Sequence, residues 1–186
     1  MKFDMKMVLE YAKVFEENYD KGDPDAPVKS AQGTVAKKGG QTVVNVYFKS
    51  EEDKQKLISA GLDLKPMGHD RIKKGNQEFG IGEYVKLTRG YKDNIKVFEN
   101  KKGGGTTEVN YGGLPKVLDY RDPENKKLWS VADDGFLGNG TEAIVRFDMY
   151  SDGAGLRLEA LAITNLVPYE QAENQQKSEY ADVWDS

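Results

Sequence analysis

Residues 141–167 read TEAIVRFDMYSDGAGLRLEALAITNLV, and their reading decides the fold. TEAIVRFDMY and GLRLEALAITNLV are two strands, the second packed with Leu, Ala and Ile. The Gly-rich SDGAG between them (151–155) is a hairpin signal. A chain that closes on such a hairpin calls for further strands to pair with it.

The same pattern recurs upstream. KFDMKM alternates, with Phe3, Met5 and Met7 on one face and Lys2, Asp4 and Lys6 on the other; VLEYAKVFEENY just after it is equally helical by propensity, and a strand through about Phe15 is the favoured expectation. YDKGDPDAPV (19–28) is a connector, because Pro24 and Pro27 cannot donate to a ladder. SAQGTVA (30–36) and QTVVNVYFK (41–49) read as two strands joined by a KKGG hairpin, with Val44, Val46 and Phe48 opposite Val43, Asn45 and Tyr47. GEYVKLTRGY (82–91) sets Tyr84, Lys86 and Thr88 against Val85, Leu87 and Arg89, and NIKVFEN (94–100) continues as a strand. KKGGGTTE (101–108) reads as a loop, LPKVLDY (114–120) as a short strand and RDPENKK (121–127) as a turn leading to Leu128 and Trp129. The clearest helix is SEEDKQKLISAG (50–61). Ser50 is its N-cap, Glu51, Glu52 and Asp53 suit the first turn, Leu57 and Ile58 supply apolar contacts, and Gly61 stops it. Short strands with turns about every eight to twelve residues, plus one short helix, describe a mainly β chain forming a small antiparallel barrel or sandwich.

Composition narrows the function. The 186 residues contain no cysteine, which removes disulfides, thiol nucleophiles and Cys-built zinc sites. The single histidine, His69, lies in a charged, Gly-containing loop and reads as solvated. No GxSxG, HExxH, P-loop or EF-hand pattern occurs, and the glycine runs at 80–82 and 103–105 read as turns. No enzyme, cofactor or metal site is expected. No apolar run approaches the roughly 18 residues of a membrane span, and the charged N-terminus lacks a signal peptide's apolar stretch, so the protein reads as cytoplasmic.

Charge is unevenly distributed. Residues 37–127 hold 19 Lys and Arg against 13 Asp and Glu, whereas 170–186 hold five acids and one lysine. The expected organisation is therefore a folded domain over 1–169 and a disordered acidic tail over 170–186. An acidic end can compete with an anion for a basic groove. Within the basic middle, rings and cations alternate. Tyr47, Lys49, Tyr84, Lys86, Arg89, Tyr91, Lys92, Lys101 and Lys102 are the candidate site residues. Unpaired nucleic acid needs both kinds, cations for phosphates and flat rings for bases that stack at about 1–3 kcal/mol each.

The element order resembles that of bacteriophage single-stranded DNA-binding proteins, in particular those of short-tailed phages. The likeness is carried by VNVYFK with the SEEDKQKLI helix, then YGGLPKVLD, then LGNGTEAIVRFDMY–SDGAG–LRLEALAITNLVPY and the tail SEYADVWDS (178–186). The resemblance implies an OB-fold barrel that binds unpaired DNA without strict sequence preference in replication, recombination or repair. It also implies an acidic tail that contacts replication partners, polymerase and helicase-primase. In that tail Glu179, Asp182 and Asp185 can imitate phosphates, and Tyr180 and Trp184 can imitate bases or dock in a partner's pocket. The alternative is a protein-interaction or host-inhibitor module on the same barrel.

Overall fold

The structure is a computed structural model. It describes residues 1–22, 28–30, 33–35, 40–91, 95–99, 106–110 and 113–169, with backbone alone for 28–30, 33–35, 95–99 and 106–110. The chain is mainly β. In chain order its elements begin with β1 (Lys2–Lys13), β2 (Val28–Ser30), β3 (Gly33–Val35), β4 (Gln41–Phe48), helix α1 (Glu51–Ser59), β5 (Lys73–Lys74) and β6 (Glu83–Gly90). They continue with β7 (Ile95–Glu99), β8 (Thr106–Asn110), β9 (Lys116–Asp119), β10 (Lys127–Leu128), helix α2 (Val131–Asp134), β11 (Glu142–Tyr150) and β12 (Gly155–Asn165). Two compact units result: Met1–Ala12 with Val44–Leu87 and the described part of Lys116–Ser186, and Lys13–Val43 with Thr88–Pro115.

The first unit is organised by one sheet of order β10-β9-β12-β11-β1-β4-β6-β5, in which β12 also pairs with β6. Strands β1, β4, β6, β12 and β11 therefore return on themselves as a barrel-like ring. The period of two explains what fills it. Met5 and Met7, Val44, Val46 and Phe48, Val85 and Leu87, Val145 and Phe147 are all buried, as strand parity requires. β12 breaks parity, since its buried residues are Leu156 and Leu158, then Leu161 and Ile163. The register shifts between Arg146, opposite Ala160, and Phe147, opposite Leu158, so a β-bulge at Glu159 returns the second half of the strand to the interior.

α1 forms where its caps place it. Ser50 Oγ accepts the Asp53 backbone N–H at 3.1 Å, and Leu57 is the one side chain the helix buries fully. Lys54 Nζ reaches Glu83 on β6 at 2.7 Å, tying the helix to the sheet.

Several sequence expectations need correction. β9 runs parallel to β12, not antiparallel, with Leu118 opposite Ala162. β1 ends at Lys13 rather than Phe15, and Phe15 N–H is taken up by Asn18 Oδ1 in a turn. SAQGTVA is not one strand, and residues 36–39, which carry most of the expected KKGG turn, lie outside the described residues. β2 and β3 form their own hairpin, Val28 opposite Val35. Thr106 and Thr107, read as loop beside the glycines, belong to β8, which pairs with β7; β-branched residues favour the extended chain. A second helix, the single turn α2, forms because Ser130 Oγ caps Asp133 N–H at 3.3 Å. Among the described residues no helix is long and apolar enough to cross a membrane.

β9 and α2 are joined by a charged clamp. Arg121 donates to both oxygens of Asp119, at 3.0 and 2.8 Å, and to Asp134 at 2.8 Å, while its guanidinium lies 4.8 Å from the centre of the Trp129 ring. The Arg121 hydrogen bonds outweigh burial and hold the Asp119 carboxyl down to about 2. The stability this contributes is complete above the ordinary carboxylate value near 3.8 and is lost as pH falls through about 2. Asp119→Asn should lose about 1–2 kcal/mol at neutral pH, the figure being reduced because Arg121 is partly exposed. Urea midpoints measured from pH 5 to 2 should fall less steeply for Asp119→Asn than for the parent, and parallel curves would contradict this role.

Candidate nucleic-acid interface

On β6, Val85 and Leu87 are fully buried inside the ring, so Tyr84 and Lys86 lie on its outer face. β5 pairs with this strand, placing Lys73 opposite Tyr84 and Lys74 opposite Glu83. Cross-strand partners on one face stand about 5 Å apart at Cβ, so the ammonium of Lys73 can flank the Tyr84 ring. Lys73, Lys74 and Lys86 are exposed, and none has an ion pair among the described residues. Tyr84 is half-buried. Lys73 and Lys86 thus border the Tyr84 ring without counter-charges among the described residues, and Lys74, opposite Glu83, lies beside them at the sheet edge.

Tyr47 does not join that surface. Although it points from β4 to the outer face, it is fully buried, which corrects the expectation that it stacks on bases. Tyr84 packs on it with ring centres 5.0 Å apart, and Phe79 meets it edge-on at 5.4 Å and 82°. Its hydroxyl donates to Glu10 Oε1 and accepts the Asn76 N–H, both at 3.0 Å. Asn45 Nδ2 also donates to Glu10, at 3.4 Å. Burial, reinforced by Glu10 and opposed by the Asn76 N–H, pushes the phenol up to about 12. The cover approaches so closely that a Cβ on Gly75 would lie 2.2 Å from the Tyr47 hydroxyl, so only glycine fits there. Tyr47 is thus the hidden support for Tyr84 and Phe79.

On the other side of Phe79 lies an open cleft of about 570 Å³, lined by Val8, Lys49, Glu78, Phe79, Asn139, Glu142 and Val167. Gly80, at φ +53°, brings the loop so near β4 that a Cβ would sit 2.1 Å from the Phe48 carbonyl oxygen, and Ile81 N–H donates to that same oxygen at 2.9 Å. Lys49 forms an ion pair with Glu142, and this lowers the Glu142 carboxyl below its ordinary range. Lys49 therefore enters the site with its charge compensated, unlike Lys73, Lys74 and Lys86.

The remaining candidates lie elsewhere. Arg89 and Tyr91 belong to the second unit, where Arg89 Nε donates to the Gly113 carbonyl at 3.1 Å. Tyr91 hydroxyl donates to Glu16, and its ring meets Tyr19 edge-on at 5.0 Å and 89°. Both side chains hold that unit's own structure together. Lys92, Lys101 and Lys102, and the tail residues Glu179, Tyr180, Asp182, Trp184 and Asp185, lie outside the described residues.

Lys73, Lys74 and Phe79 were missed by the sequence reading, which took this region for loop and turn. The available signal was an isolated aromatic among glycines in NQEFGIG, preceded by a lysine pair. Comparison of the chain with protein-family models, curated proteins and solved structures finds no match.

Proposed function

We propose that the protein is a non-enzymatic, sequence-tolerant single-stranded DNA-binding protein on an OB-like barrel, acting in the cytoplasm on DNA exposed during replication, recombination or repair. The observation that carries the reading is Tyr84 flanked by Lys73 and Lys86 on the outer face of β6 and β5, with the exposed Lys74 next to them at the sheet edge and no ion pair to these three lysines among the described residues. Each lysine can neutralise a phosphate and release a counterion, while the ring offers every base a π-face. The ring order β1-β4-β6-β12-β11 supports the OB reading, because oligonucleotide-binding OB barrels have five strands and use the face of the second and third. Here those strands are β4 and β6.

The acidic tail fits the same reading. Leu137 and Pro168 form a bridge, and Val167 lines the cleft, so the chain passes the rim of the site just before the net −4 segment 170–186. Its carboxylates compete with phosphates for the lysines, and Tyr180 and Trp184 recruit a replication polymerase or helicase-primase.

Oligo-dT binding followed by fluorescence anisotropy tests both parts. The full chain should bind, more weakly as salt rises. Deleting residues 171–186, which carry four acids and one lysine, should tighten binding, with the gain shrinking as salt screens the attraction. No binding at low salt would overturn the function, and equal affinity of the two forms would overturn the competing tail.

One observation favours a protein-interaction module as a second reading. Ile144, Ala162, Leu118 and Leu128 are consecutive cross-strand neighbours on the outer face of β11, β12, β9 and β10, with Leu128 exposed at 66%. Such an apolar row suits a protein partner better than a phosphate chain.

A further inference from the structure

The cleft beside Phe79 differs in charge from the lysine-flanked strip. Its lining holds two carboxylates, Glu78 and Glu142, against the single ammonium of Lys49, which already pairs with Glu142. A phosphate would be repelled there. A flat, uncharged group rich in hydrogen-bond donors would not. Val8 and Val167 supply apolar walls, and the half-buried Phe79 ring supplies a stacking face. The volume of about 570 Å³ lies within the range of about 300–1,000 Å³ typical of small-ligand sites.

The polar groups have defined roles. Asn139 Oδ1 accepts the Tyr11 N–H at 2.8 Å, which fixes the amide and leaves Nδ2 to donate; among the described residues Nδ2 has no partner. Glu142 has both oxygens engaged, one by Lys49 and the other by Asn165 Nδ2 at 3.4 Å. The Glu78 carboxylate is exposed and has no ion pair among the described residues, so it is the free acceptor.

We propose that this cleft receives one unpaired base of the bound strand and that guanine fits it best. The proposal rests on the single-stranded DNA reading. Guanine presents N1–H and N2–H side by side, the pair of donors that a carboxylate accepts together, and beside them O6, an acceptor for Asn139 Nδ2 or Lys49. Thymine offers one N–H between two carbonyls, so one of its oxygens faces the carboxylate. Binding is sequence-tolerant along the lysine strip and base-selective at this one position.

The test uses the full chain and three short oligonucleotides: oligo-dT, the same strand with one central dG, and the same strand with deoxyinosine there. Deoxyinosine keeps N1–H and O6 but lacks the N2 amino group. The dG strand should bind about fivefold tighter than oligo-dT, the low end of what a bidentate base contact supplies, and the inosine strand should fall close to oligo-dT. Glu78→Gln, at an exposed position, removes an acid that repels phosphates, so it should tighten oligo-dT, dG and inosine strands to a similar level and erase the preference among them. Equal binding of all three strands, or a preference that survives Glu78→Gln, overturns the guanine cleft while the general function stands. Failure to bind any strand overturns both.

Discussion

Replacing Tyr47 by Ala should remove about 3–5 kcal/mol of folding stability, the usual cost of deleting a buried aromatic side chain. The ring is fully buried under Tyr84, Phe79 and the Gly75–Asn76 backbone, so its loss opens a cavity beneath the proposed interface rather than deleting a contact to DNA. Tyr47→Phe separates the packing from the hydroxyl. It keeps the ring and leaves Glu10 and the Asn76 N–H without that partner, at about 1–3 kcal/mol. The pH dependence distinguishes the two variants further. Because the phenol is pushed up to about 12, its contribution is complete below the ordinary tyrosine value near 10 and is lost as pH rises through about 12. Denaturation midpoints should therefore drop between those limits in the parent and much less in Tyr47→Phe. If Tyr47→Ala is as stable as the parent and binds oligo-dT more weakly, Tyr47 is a surface stacking residue and the buried position is wrong.

The second large effect concerns Lys73, Lys74 and Lys86. Changing all three to Ala should flatten the dependence of log affinity on log salt by about 2, since each single-strand phosphate no longer neutralised takes roughly 0.7 off the slope through the counterions it would have released. At low salt the loss should be about a hundredfold or more. Thermal stability should stay within about 0.5 kcal/mol, because the three side chains are exposed and have no ion pairs among the described residues. Anisotropy titrations over a salt series, with melting curves on the same samples, measure both quantities. An unchanged slope would remove these lysines from the interface. Arg89, which the sequence placed with Lys86, is left out of the set because it is engaged with the Gly113 carbonyl in the second unit.

By itself the sequence determined what depends on near neighbours along the chain. The two-residue period of QTVVNVYF and EYVKLTRG sets Val44, Val46, Phe48, Val85 and Leu87 inward, since each side chain's face follows from its position in the strand. Ser50 and Gly61 bracket α1 for an equally local reason, because capping acts over three or four residues. The alternation of Tyr84 and Lys86 against a buried partner face was legible in the same way.

Tertiary structure decided everything that joins distant segments. Parity puts Tyr47 on the outer face, and only the Gly75–Phe79 loop, folding back over β4, makes that face interior. Lys49 reads as a free cation until the ring brings Glu142 beside it. Lys73 and Lys74 have no strand pattern of their own and become part of a surface only through their register with β6. The bulge at Glu159 and the parallel pairing of β9 with β12 are features of how strands pair with one another, not of any local preference. A side chain's face is set by backbone geometry within a few residues. Whether that face meets solvent, a counter-charge or another ring is set by packing between segments far apart in sequence, where burial and Coulomb attraction act without regard to chain order.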